Sequence, residues 1–164
     1  MTDALNPEPL LRALHEAGVQ HIIIGGFAVN AHGVIRPSRD LDIVPNPDPA
    51  NLKRLAALLA DLGARHVGLG DFDADEFPFD PTNPEDLRSG ANFRLETRLG
   101  DLDIMQWVPG IEADPAYGAL ASEAIEGELD GTPLRVCALG HLIAMKRAAG
   151  RPRDLDDLKR LGAD

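Results

Sequence analysis

Two aspartates two residues apart, Asp40 and Asp42, interrupt an otherwise apolar run, Asp-Leu-Asp-Ile-Val. Extended backbone sends alternate side chains to opposite faces, so both carboxylates share one face while Leu41 and Ile43 point into a core. Like charges held that close require a cation between them, and an all-oxygen ligand set suits a hard ion such as Mg²⁺. Upstream, the apolar run Ile22-Ile23-Ile24 ends in Gly25-Gly26. A glycine turn between a strand and a helix exposes backbone N–H groups, and the missing Cβ lets the chain approach a phosphate closely. A phosphate cradle next to a divalent-metal pair points to nucleoside triphosphate chemistry.

The elements that must position these residues follow from local pattern. Val19 to Ile24 reads as a central strand, Phe27 to His32 as a short helix, and Arg36-Pro37-Ser38-Arg39 as a basic loop leading to the strand of Asp40 and Asp42. Pro7 to Ala17 and Pro49 to Leu62 are amphipathic helices ended by Gly18 and Gly63. Gly68 to Asn92, with Asp71, Asp73, Asp75, Glu76, Asp80 and Glu85, reads as a solvated acidic loop and does not match the ligand spacing of an EF-hand. Asn92 to Val108 is a hairpin with Gly100-Asp101 as its turn, which leaves Asp101 solvated. Asp103 follows in the apolar company Leu-Asp-Ile-Met, where a carboxylate is either turn-proximal and solvated or paired with a partner such as a metal. Pro115 to Glu123 is a short helix, and Ala124 to Cys137 a second hairpin about Asp130-Gly131. Leu139 to Ala149 and the segment from Pro152 onward are the last helices. In these, Leu142, Ile143 and Met145, then Leu155, Leu158 and Leu161, are the expected core contacts.

Composition narrows the classes. A chain of 164 residues suits a single domain, residues 1–164, with a core large enough to need no staples. No apolar run approaches the length of a membrane span, and the N-terminus lacks the basic start and apolar stretch of a signal peptide. The lone cysteine, Cys137, reads as a buried apolar residue. Cytoplasmic residence is the default expectation. A formal charge of −11 argues against general nucleic-acid binding by electrostatics, leaving a local patch drawn from Arg36, Arg39, Lys146, Arg147, Arg151 and Arg153 to meet any polyanion.

Gly25-Gly26, thirteen intervening residues and Asp40-Leu41-Asp42 together resemble the signature of the polymerase-β-like nucleotidyltransferase superfamily. The similarity is greatest to its small members, including minimal nucleotidyltransferases and abortive-infection or toxin–antitoxin enzymes. The run from His141 to Leu161, HLIAMKRAAGRPRDLDDLKRL, resembles the Lys-x-x-x-Gly-Arg-Pro-x-Asp-x-x-Asp-Leu ending of many such proteins. The resemblance implies an α/β fold with a mixed, twisted sheet, helices mainly on one face and a C-terminal two-helix cap. It also implies a third carboxylate on a later strand, which selects Asp103.

Two Mg²⁺ ions, or Mn²⁺ in their place, would be held by Asp40, Asp42 and Asp103. Gly25, Gly26, Ser38, Arg39 and Lys146 would contact the NTP, with Asp154 orienting it or the basic loop. Asp156 and Asp157 are expected to lie in a solvated charge network. The acceptor hydroxyl would belong to an RNA 3′ end, a protein side chain such as that of a cognate antitoxin, or a small molecule. A homo-oligomer is a further possible partner. One departure is evident: many relatives carry Ser where this chain has Gly26. The alternative is a catalytically inactive nucleotide- or partner-binding protein of the same fold, or a toxin–antitoxin partner acting only through its surface.

Overall fold

The computed structural model describes residues 6–67, 76–89 and 92–163. Of the acidic stretch, Asp71, Phe72, Asp73 and Asp75 lie outside the described residues. The elements run α1 (Glu8–Glu16), β1 (His21–Ile24), α2 (Gly25–Ala31), β2 (Asp40–Pro45), α3 (Pro49–Asp61), β3 (Arg65–His66), α4 (Pro84–Ser89), β4 (Asn92–Thr97), β5 (Gly100–Met105), α5 (Tyr117–Glu123), β6 (Ile125–Leu129), β7 (Thr132–Val136), α6 (Leu139–Ala149) and α7 (Pro152–Arg160). Among the described residues the strands form one mixed sheet of order β3-β4-β5-β2-β1-β7-β6. β2 is antiparallel to β1 and parallel to β5, so the strand with the paired aspartates lies deep in the sheet.

The core follows from strand alternation. Leu41 and Ile43 of β2, Leu102 and Ile104 of β5 and Leu95 of β4 are fully buried, and Phe93 nearly so. In β1 Ile22, Ile23 and Ile24 are all buried, as a strand covered on both faces requires. Leu52, Leu55, Ala56 and Leu59 form the inward stripe of α3. Its first turn is held by buried Asn51, whose amide donates to the carbonyls of Gln20 (2.9 Å) and Asn46 (2.8 Å) and accepts from Gln20 N (2.7 Å). Cys137 is buried as expected, and burial pushes its thiol up to about 12. No helix among the described residues is long and apolar enough to cross a membrane.

Three local expectations change. Part of the supposed acidic loop is helix α4, capped by Asn83 Oδ1 on the N–H of Glu85 (2.9 Å) and anchored by buried Leu87; one apolar residue in six gives no readable period. The β4–β5 turn falls at Arg98-Leu99 rather than Gly100-Asp101, because Thr97 Oγ1 accepts from Leu99 N (3.1 Å) and donates to the Gly100 carbonyl (2.7 Å). Asp101 therefore lies within β5, opposite Asp40. In α7 the buried side is Asp154, Asp157 and Leu158, while Leu155 is half exposed.

Candidate active site

Parallel pairing of β2 with β5 sets Asp40 against Asp101 and Asp42 against Asp103. Side chains at matched register positions share a face, so four carboxylates line one patch of sheet. Asp40, Asp42 and Asp103 each offer an oxygen within 4.8 Å of the others. Their chemistry fits a hard divalent cation, and Asp103 Oδ1 supplies an independent sign: it is buried and has no hydrogen-bond partner. Without a cation the cluster is strained electrostatically. Burial, then the charges of Asp103 and Asp40, push the Asp42 carboxyl up to about 8. Burial and Asp40 raise Asp103 as well, and burial and Asp40 raise Asp101.

Gly25 and Gly26 meet this cluster edge-on. They are the first residues of α2, with no intervening turn, and Gly25 adopts a φ of +71° that favours glycine. A Cβ on Gly25 would collide with Asp42 Oδ2, and one on Gly26 would stand 2.6 Å from Ser38 Oγ. The hydroxyl of Ser38, itself donating to the Asp40 carbonyl (3.2 Å), thus occupies the space a side chain at position 26 would need. Asn30 braces the basic loop by donating to the carbonyls of Val34 (2.8 Å) and Arg36 (2.9 Å).

A cavity of about 530 Å³ joins these parts, lined by Gly25, Gly26, Ser38, Arg39, the four aspartates and Lys146. Arg36, Arg94, Arg151 and Arg153 complete its cationic wall. Arg94 was not among the residues singled out in the sequence. It stands opposite Asp103 on β4, 3.8 Å from Asp103 and 3.9 Å from Asp40. The alternation Phe93-Arg94-Leu95 carries that placement, since burying both neighbours turns Arg94 to the carboxylate face.

The C-terminal helices bring a buried ion network rather than the expected solvated one. Lys146 Nζ sits between Asp154 Oδ1 (3.1 Å) and Asp157 Oδ2 (3.0 Å). Arg36 Nε pairs with Asp157 at 2.9 Å, and Arg151 Nε donates to Asp154 at 2.7 Å. Asp154 is fully enclosed and does not reach the cavity wall, so it meets Lys146 and Arg151 instead of solvent. Hydrogen bonds from Arg151 and Lys146 outweigh its desolvation and hold its carboxyl low. Asp156 alone matches the solvated expectation, pairing with Arg160 on the surface.

No protein-family description matches the chain, and no curated protein sequence does. Solved structures do match over nearly the whole length. The lincosamide antibiotic adenylyltransferase LnuA, solved with lincomycin bound, superposes with a TM-score of 0.65 at 14% identity, covering 98% of each chain. The antibiotic-resistance factor ANT(2'')-Ia, solved with adenylyl-2''-tobramycin, gives 0.57 at 19% identity over 94% of this chain and 84% of its own. A Thermotoga maritima protein provisionally assigned as a nucleotidyltransferase gives 0.57 at 16% identity over 96% and 94%. At these identities the likeness is one of architecture, and the architecture is the polymerase-β-like nucleotidyltransferase fold.

Proposed function

We propose that this protein is a metal-dependent nucleotidyltransferase that moves a nucleoside monophosphate from an NTP to a hydroxyl group. The observation that carries the reading is the convergence of Asp40, Asp42 and Asp103 oxygens within 4.8 Å, against two glycines that leave no room for a side chain. Asp40, Asp42 and Asp103 would hold Mg²⁺, which when bound supplies charge neutralisation and lowers the pKa of an attacking hydroxyl.

The chain's own groups do the rest. The first N–H groups of α2, at Gly25 and Gly26, receive the terminal phosphates, with the Ser38 hydroxyl beside them. Arg36, Arg39 and Arg151 line the wall that meets charge developing on pyrophosphate, and Lys146 adds its field from beneath. The acceptor oxygen forms a bond to the α-phosphorus, the α–β bridging bond breaks and pyrophosphate leaves. The hydroxyl proton passes to the Asp103 carboxylate, at the oxygen that does not hold the ion. Asp154 acts through Lys146 and Arg151 rather than by touching the nucleotide.

The formal charge of −11 favours a small-molecule acceptor over RNA. LnuA and ANT(2'')-Ia, with antibiotic ligands on the same fold, support that choice. The test is incubation with each labelled NTP, Mg²⁺ and a panel of hydroxylated small molecules, lincomycin and tobramycin included. Pyrophosphate release that vanishes with chelator and in Asp42→Asn is expected. Release that persists in Asp42→Asn overturns the metal assignment. If no NTP with Mg²⁺ raises the melting temperature, nucleotide binding itself is refuted.

A further inference from the structure

A second cavity, of about 220 Å³, opens on the far side of the carboxylates from the glycines. Its walls are His66, Phe77, Phe79, Phe93 and Met105, and it shares Arg94 and Asp103 with the larger cavity. The rings are ordered against one another: His66 stacks on Phe77 (4.8 Å, 19°) and on Phe93 (5.7 Å, 22°), and Phe79 meets Phe93 edge-on (6.5 Å, 73°). His66 Nε2 is fixed by the Phe79 carbonyl at 2.6 Å. Such a wall offers flat apolar surface and ring faces to a ligand, and one cation, Arg94, at its junction with the carboxylates.

Resting on the transfer reading, we propose that this cavity is the acceptor subsite, and that it takes a small neutral molecule presenting an aromatic or flat apolar ring next to its hydroxyl. In-line displacement puts the attacking oxygen and the departing pyrophosphate on opposite sides of the α-phosphorus. Pyrophosphate belongs with Gly25, Gly26 and the basic loop, so the attacking oxygen comes from the side of Asp103, where the aromatic cavity lies. A polycationic aminocyclitol is a poor match, because among the described residues Asp103 is the one carboxylate in this lining and Arg94 stands beside it. A nucleobase stacked in the same slot is the competing occupant.

The experiment uses 4-nitrobenzyl alcohol, an aromatic primary alcohol, and 2-deoxystreptamine, a dicationic aminocyclitol, as probes. Binding is followed by saturation-transfer NMR with ATP and Mg²⁺ present, in the wild type and in Phe77→Ala and Phe79→Ala. Neither substituted residue belongs to the fully buried core, and circular dichroism with the melting temperature reports whether each variant is folded, while calorimetry reads ATP affinity separately. The aromatic alcohol is expected to bind and to weaken about tenfold in the variants, the loss of roughly one stacking partner. ATP affinity should stay within about twofold, and 2-deoxystreptamine should not be held. Equal binding of the alcohol by wild type and variants, no binding at all, or preference for 2-deoxystreptamine overturns the proposal. An ATP affinity that falls with the alcohol's assigns the slot to the base. Absence of any ATP binding alongside ring-dependent alcohol binding refutes the transfer reading instead, and with it the acceptor role.

Discussion

Replacing Asp42 with Asn should stabilise the protein when no divalent ion is present. In the metal-free fold the Asp42 carboxyl is pushed from 3.8 up to about 8, chiefly by burial and then by Asp103 and Asp40, with Lys146 pulling the other way. A folded-state pKa above the unfolded one means the folded chain holds the extra proton between those limits. Stability is therefore greatest below about pH 4 and falls as pH rises toward 8. At pH 7 the interval is about three units, and at roughly 1.4 kcal/mol per unit the ceiling is about 4 kcal/mol. The cavity is open to water on one side, so about 2 kcal/mol is the working figure. In a chain of this size that corresponds to a rise in melting temperature of roughly 4–8 °C.

Calorimetry of wild type and Asp42→Asn in chelator, at several pH values, reads this directly. The variant should melt higher at neutral pH, and the gap should close as pH falls below about 4, where the wild-type carboxyl becomes protonated in both states. Adding Mg²⁺ should then raise the wild-type transition and leave the variant's nearly unmoved. A variant that melts below the wild type in chelator at neutral pH, or that gains as much from Mg²⁺, refutes the claim that these carboxylates are held together for a cation.

Two further substitutions test the parts around the carboxylates. Asp157→Asn leaves Lys146 and Arg36 short of a buried counter-charge, and should cost about 2–4 kcal/mol, seen as a loss of roughly 5–15 °C in thermal melting; a loss under about 1 kcal/mol contradicts a buried network. Gly26→Ala should push Ser38 and Arg36 aside, raising the KM for NTP severalfold with stability lowered by about 1 kcal/mol; adding Ser38→Gly should restore stability and leave KM high, and a KM unaffected by either change removes Ser38 from the phosphate site.

What the sequence revealed and what it hid divide along a physical line. The carboxylate pair on β2 and the Ile22–Ile24 strand running into two glycines are set by alternation and by local backbone freedom, so they can be read within a dozen residues. Asp103 was left open by its local pattern and was selected only by the resemblance, which implies a third carboxylate on a later strand. Asp101 was misplaced because Gly-Asp is a strong turn dipeptide, whereas here a side chain, Thr97, closes the turn two residues earlier.

The face of α7 was hidden for a deeper reason. Amphipathic patterning turns leucines inward and aspartates outward, yet Leu155 is half exposed while Asp154 and Asp157 are buried. That inversion is possible only because the opposing charges come from elsewhere: Lys146 on the preceding helix and Arg36, 121 residues away in the basic loop. No local period encodes a partner at that distance. Burying two carboxylates where an exposed leucine was available costs stability that a scaffold has no reason to give up. The arrangement instead ties the loop bearing Arg36 and Ser38 to the C-terminal helix pair, which holds the basic wall of the cavity against the carboxylate strands.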